Sequence, residues 1–128
     1  MTDVKKSTLV VWPGSAGKPI VSKAFEGRWR ITELEGFDTE YLDLCGQAKI
    51  EIKRQGIGEF AFGAVQAEID GRMDEMAVGV FSFSFEGEDE GDLFFGRGYC
   101  TLKSERLTGR LYRHFGDTFT FSGRRMRE

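Results

Sequence analysis

The chain has 128 residues, which suits one domain with a hydrophobic core of its own. Hydrophobic residues make up 40% and charged residues 30%, and 17 Gly stand against 2 Pro, so we expect a folded chain with many tight turns. The net charge of −3 argues against a surface dominated by Lys and Arg, so no nucleic-acid partner is expected. The Arg-rich C-terminal stretch, residues 123–127, is interpreted as a solvated tail.

The sequence predicts a cytoplasmic protein that does not enter a membrane. A membrane-spanning helix needs about twenty apolar residues, and no window approaches that length. The apolar run that ends at Trp12 is too short for a signal peptide and is stopped by Pro13. Cys45 and Cys100 are therefore expected to be reduced thiols.

Residues 1–23 are polar, contain both prolines and are predicted to form a flexible arm, whereas residues 24–128 form the domain. Within the arm, the apolar run Leu9–Trp12 has the composition of a segment that adds to a sheet edge, in this chain or in a neighbour. One hypothesis is therefore an interaction protein that assembles through this arm. The expected oligomeric state is a monomer or a homodimer.

From Phe25 onward, hydrophobic residues alternate with polar ones and Gly-rich turns interrupt the pattern. Eight strands are predicted, beginning near Arg28, Ala48, Phe60, Val65, Ala77, Leu93, Arg106 and Thr118. A short helix with Asp38 as its N-cap follows the first strand. Because the connections are short, neighbouring strands should be antiparallel. The predicted fold is an all-β, eight-stranded, up-and-down barrel with lipocalin-like character.

Two local features qualify this pattern. The fifth strand changes phase after Val80, which predicts a bulge near Gly79. Residues 86–92 hold five carboxylates and are interpreted as a solvated hairpin loop; their order does not fit an EF-hand calcium site. No metal or cofactor is expected.

The motif Gly27-Arg28-Trp29 opens the first strand, and lipocalin-type barrels also begin with Gly-x-Trp. In such barrels the Trp closes one end and stacks under an Arg of the last strand. Phe119, Phe121 and Arg125 share the odd-numbered parity of the last strand, so Arg125 should point inward. Trp29 and Arg125 are therefore predicted to form a structural pair at one barrel end.

The residues closest to a ligand in such a barrel would be Trp29, Glu33, Phe37 and Tyr41, near a mouth covered by the short helix. Glu33 continues the inward parity of Trp29, but a solvated residue at the strand end is the favoured interpretation; a ligand-orienting or acid/base carboxylate is the alternative. The 12 Phe residues favour a filled interior, but inward Gly residues can instead leave a pocket. The inward Gly residues are Gly96, Gly98, Gly109 and Gly123.

From these features we predict a non-catalytic protein that binds a small apolar or aromatic ligand, or a protein partner. An enzyme is the alternative, with acid and base groups drawn from Glu33, Asp38 and the single histidine, His114. A Cys100–His114 pair has no support in the spacing, because Cys100 shares the core face of its strand.

The chain also resembles a widespread family of small bacterial proteins, over residues 25–125. The matching segments are Gly27–Ile31, Glu33–Glu35, Asp38, Tyr41–Asp43, Gly56–Gln66, Phe83–Gly87, Asp89–Glu90, Gly96–Gly98, Leu107–Arg110 and His114–Asp117. Members often have Trp where this chain has Phe37 and Phe83. The resemblance implies a compact bacterial β domain and supplies no activity.

Overall fold

A computed structural model of the protein describes residues 21–127, and its strands form a closed, eight-stranded antiparallel barrel. The strands are β1 (Gly27–Leu34), β2 (Lys49–Ile52), β3 (Ile57–Phe62), β4 (Val65–Met73), β5 (Val80–Asp89), β6 (Asp92–Lys103), β7 (Arg106–Arg113) and β8 (Thr118–Arg125). One short helix, α1 (Thr39–Leu42), follows β1, and Asp38 caps it by accepting a hydrogen bond from the Tyr41 amide. The predicted up-and-down barrel and its helix are confirmed.

Each strand pairs with the next, and β8 returns to β1 to close the barrel, with Trp29 facing Arg125. Closure leaves no open sheet edge among residues 21–127. The proposed edge-pairing segment Leu9–Trp12 and the rest of residues 1–20 lie outside the described residues. Val21 is buried, and its amide donates to the carbonyl oxygen of Arg54 at 2.9 Å.

Side chains from all eight strands fill the interior. Around Phe60, ring centroids lie 5.9 Å away for Phe62, 5.2 Å for Phe85 and 6.4 Å for Phe94. The Phe62 ring is stacked on Phe60 and the other two rings are edge-on to it, and such contacts stabilise the core beyond the area they bury. Trp29 and Phe81 are fully buried towards one end of the barrel.

The inward glycines do not leave open space between these rings. A Cβ built on Gly98 would lie 2.8 Å from the Phe83 ring. On Gly96 it would lie 1.9 Å from the Tyr112 carbonyl oxygen, and Gly109 and Gly123 are approached equally closely by neighbouring backbone. Glycine at these positions therefore allows rings and strands to come together, which favours the filled-interior alternative.

The structure departs from the predicted pattern in the two hairpins that flank β5. The expected bulge near Gly79 is wrong: residues 74–79 form a loop, and β5 begins only at Val80. In this loop the Asp74 carboxylate accepts the amides of Met76 and Ala77, and these hydrogen bonds hold its pKa below the usual value. The acidic segment is also ordered into strands, and only Glu90 and Gly91, both at positive φ, form the turn.

Candidate functional site

The predicted ligand mouth is covered by aromatic side chains. Phe37 stacks on Tyr41 at 5.2 Å and contacts Phe62 at 6.0 Å and Phe119 at 5.6 Å between ring centroids. Gly63, at φ +56°, makes room for Tyr41, because a Cβ there would meet the ring at 2.2 Å. Phe37 and Tyr41 therefore lie together over the core at this end.

Trp29 lies at the other end of the barrel, beneath Arg125. The guanidinium carbon of Arg125 is 4.2 Å from the Trp29 ring centroid, in the arrangement expected for this pair. Arg125 also donates to the carbonyl oxygens of Glu26 and Ala24 and pairs with Glu105 at 3.0 Å. These contacts fasten the chain before β1 across the end of the barrel.

Glu33 does not follow the inward parity of Trp29. A β-bulge between Ile31 and Glu33 shifts the register against β8, so that Leu34 is buried and Glu33 faces outward. The Glu33 side chain is 72% exposed and lies 3.7 Å from Arg106. Of the two interpretations of Glu33, the solvated residue matches the structure, and the inward parity is not observed.

The three acid/base candidates have separate surroundings. Glu33 faces Arg106, Asp38 caps α1, and His114 lies in the β7–β8 turn with its ring 4.9 Å from Phe95. Burial raises the pKa of the Cys100 thiol to about 12, which keeps it protonated. Cys45 is exposed, and both cysteines are free. Within residues 21–127, no cluster of potential metal ligands is present.

The outer surface carries a feature that the sequence analysis missed, a lateral row of cations on neighbouring strands. In the register, Lys103 of β6 faces Arg106 of β7, which faces Arg124 of β8. Arg124 faces Arg30 of β1, which in turn faces Lys49 of β2. We call these five residues the cation row. Like charges directly opposite each other destabilise a sheet, so the row is unfavourable to folding.

Counter-charges relieve only part of this row. Arg30 is half-buried and pairs with Asp43 at 2.5 Å. The pKa of Asp43 is lowered, chiefly because its carboxylate accepts the Ala48 amide and then because of Arg30, although burial opposes this shift. The contact of Arg106 with Glu33 is long and exposed, so it adds little.

The cation row borders a wider surface, the outward side of β6, β7 and β8, which we call the cationic face. Its charged residues in these strands are all cations: Arg97, Lys103, Arg106, Arg110 and Arg124. Two tyrosines, Tyr99 and Tyr112, and a set of Ser and Thr residues lie between them. Hydroxyl groups at Thr101 and Thr108 lie 3.3 Å apart at the centre of the face.

The opposite side of the barrel is acidic. Glu51 of β2 faces Glu59 of β3, Glu59 faces Glu68 of β4, and Glu68 faces Glu86 of β5. The net charge of −3 for the chain therefore gives no sign of the local charge on either surface. The alternation in the sequence predicts that each of these charged residues faces outward. Which charges are neighbours depends on the strand register, which cannot be derived from composition.

No known protein family, characterised protein or solved structure was found to match the chain. No helix among residues 21–127 is long and apolar enough to cross a membrane.

Proposed function

We propose that this is a non-catalytic binding protein whose partner contacts the outer, cationic face of the barrel. The observation that carries the proposal is the cation row, in which five cations face one another on five neighbouring strands. Such an arrangement opposes folding, whereas an anionic partner placed over the row would be attracted by its exposed cations. Selection for binding accounts for a row that selection for stability alone would disfavour.

The interior supports the same choice of surface. A small apolar ligand inside the barrel would have to displace rings that already contact one another, such as Phe60 and Phe85 at 5.2 Å. Ligand pockets in proteins usually enclose about 300 Å³ or more, and the contacting rings of Phe60, Phe85 and Phe94 already occupy the middle of the barrel. Binding on the outer surface needs no such rearrangement.

The test is chromatography on immobilised heparin, a polyanion without bases. We expect the wild-type protein to be retained at low salt despite its net negative charge, and the double variant R106T/R124T to elute at clearly lower salt. The control is K53T/R54T, which removes the same charge from the exposed β2–β3 turn and should elute like the wild type. Thermal melting of all three proteins checks that they fold.

Failure of the wild-type protein to bind heparin would contradict the proposal. Equal elution of the two double variants would also contradict it, because retention would then reflect total charge and not the row.

A further inference from the structure

We propose, resting on the proposed function, that the cationic face binds single-stranded nucleic acid. Proteins that bind single strands combine a cationic track for the phosphates with aromatic side chains on which bases stack. The cationic face has both components within three adjacent strands. An acidic protein would use the charges alone and would leave the aromatic component unexplained.

The aromatic component consists of Tyr99 on β6 and Tyr112 on β7. Their ring centroids are 6.4 Å apart, and both side chains are half-buried and line an open depression of about 680 Å³. Arg97 lies 5.0 Å from the centroid of Tyr112, and Tyr99 faces Arg110 across the strands. Each tyrosine is therefore accompanied by a guanidinium group, which can contact a phosphate or stack on a base.

The phosphate track follows the cation row. At about 4.8 Å between neighbouring strands, its five members span about 19 Å around the barrel. Tyr99 is four residues from Lys103 on one strand and Tyr112 is six residues from Arg106 on the next, so the tyrosines lie about 13 Å and about 20 Å from the row. Both components fall within reach of a short oligonucleotide.

Polar groups between the two components fit the same ligand. Thr101, Thr108 and Ser122 face one another between the row and the tyrosines and offer hydroxyl groups to phosphate or sugar oxygens. Carboxylates lie at the border: Asp70 and Asp74 line the β4 side of the depression, and Glu33 lies beside Arg106. These carboxylates would keep a phosphate backbone away from the β4 side of the depression and direct it along the cation row.

This inference revises the expectation drawn from net charge. A net charge of −3 argues against a nucleic-acid partner only if charges are evenly mixed, and here a row of four glutamates lies on β2–β5, whereas the outward charged residues of β6–β8 are cations. The local field above the cationic face is set by its own residues and by a screening length of about 10 Å at 0.1 M salt.

The first experiment measures the affinity of full-length protein for a fluorescent oligothymidylate of about twenty nucleotides by anisotropy. The variant Y99L/Y112L keeps apolar packing and all charges but removes the stacking surfaces. We expect its affinity for the oligonucleotide to fall about tenfold or more, with heparin elution unchanged. Poly-L-glutamate should compete weakly.

The second experiment does not depend on a variant. The chain has three tyrosines, and Tyr41 lies at the covered mouth, away from the cationic face. In NMR spectra of protein labelled at tyrosine, addition of the oligonucleotide should shift the ring signals of Tyr99 and Tyr112 and leave those of Tyr41 in place.

Two results would overturn the inference while the proposed function stands: equal binding of oligothymidylate and poly-L-glutamate, or unchanged signals of Tyr99 and Tyr112 at saturation. Equal binding would show that the face recognises anionic charge alone, and unchanged signals would show that no base stacks on the tyrosines. Loss of heparin binding in the wild type would instead overturn both proposals.

Discussion

Arg125 shows how far alternation of single residues predicts structure. Its odd-numbered position placed it inward, and the structure has it stacked on Trp29 and bonded to two carbonyl oxygens of the preceding chain. Those carbonyl groups lie in residues 24–26, which have no strand periodicity, so the sequence offered no signal for them. The stacking of Arg125 on Trp29 was predictable from the sequence, whereas its hydrogen bonds to residues 24–26 were not.

The Arg125→Ala substitution should lower the free energy of unfolding by about 2–3 kcal/mol, because the cation–π contact and two charge-assisted hydrogen bonds are lost together. Urea denaturation followed by circular dichroism measures this change. Arg127→Ala, which alters an exposed Arg two residues later, should change stability by less than about 0.5 kcal/mol. Equal effects of the two substitutions would show that the stacked arrangement contributes nothing to stability.

At the scale of elements, the bulge in β1 separates the predicted register from the observed one. Ile31 faces Gly123 and Glu33 faces Ser122, so Thr32 is the additional residue in β1. Alternation cannot locate such an insertion when the residues on both sides remain compatible with a strand, as Thr32 and Glu33 are. For this reason the inward parity assigned to Glu33 was wrong, although the strand itself was predicted.

Deletion of Thr32 should therefore be tolerated, because it leaves Ile31 and Leu34 inward and Glu33 outward in continuous register. We expect the free energy of unfolding to fall by about 1–2 kcal/mol, because the deletion removes the strand curvature that the bulge provides. Deletion of Thr108 in β7 is the matched control: it would turn Arg110 inward and should prevent folding. Thermal melts of the two proteins compare them, and a similar loss in both would contradict this interpretation of the bulge.

At the scale of the whole molecule, sequence periodicity predicted eight strands, their order and closure of the barrel, because each depends on local alternation and short loops. The charge segregation was not predictable in the same way. Lys103 and Lys49 belong to one row only after four strand pairs have set their registers. The candidate site therefore forms only when the strands pair in the folded barrel, and no single segment of the chain contains it.

Salt should stabilise this protein, because repulsion within the two like-charged rows is screened as the Debye length falls from about 30 Å at 0.01 M to about 10 Å at 0.1 M. We expect the melting temperature to rise by a few degrees over this range. R106T/R124T should melt about 4 °C higher than wild type at low salt and respond less to salt, since Arg124 faces two cations. A melting temperature that falls with added salt would mean that attractive ion pairs dominate the surface.

Closure of the barrel also has a consequence for synthesis of the protein. The strand pair that closes the barrel places Trp29 opposite Arg125. During synthesis, β1 can therefore pair with β8 only after almost all of the intervening chain has left the ribosome. Until then, β1 exposes unpaired amide and carbonyl groups and a tryptophan that the finished fold buries completely. The nascent chain is therefore most open to misassembly just before its last strand emerges.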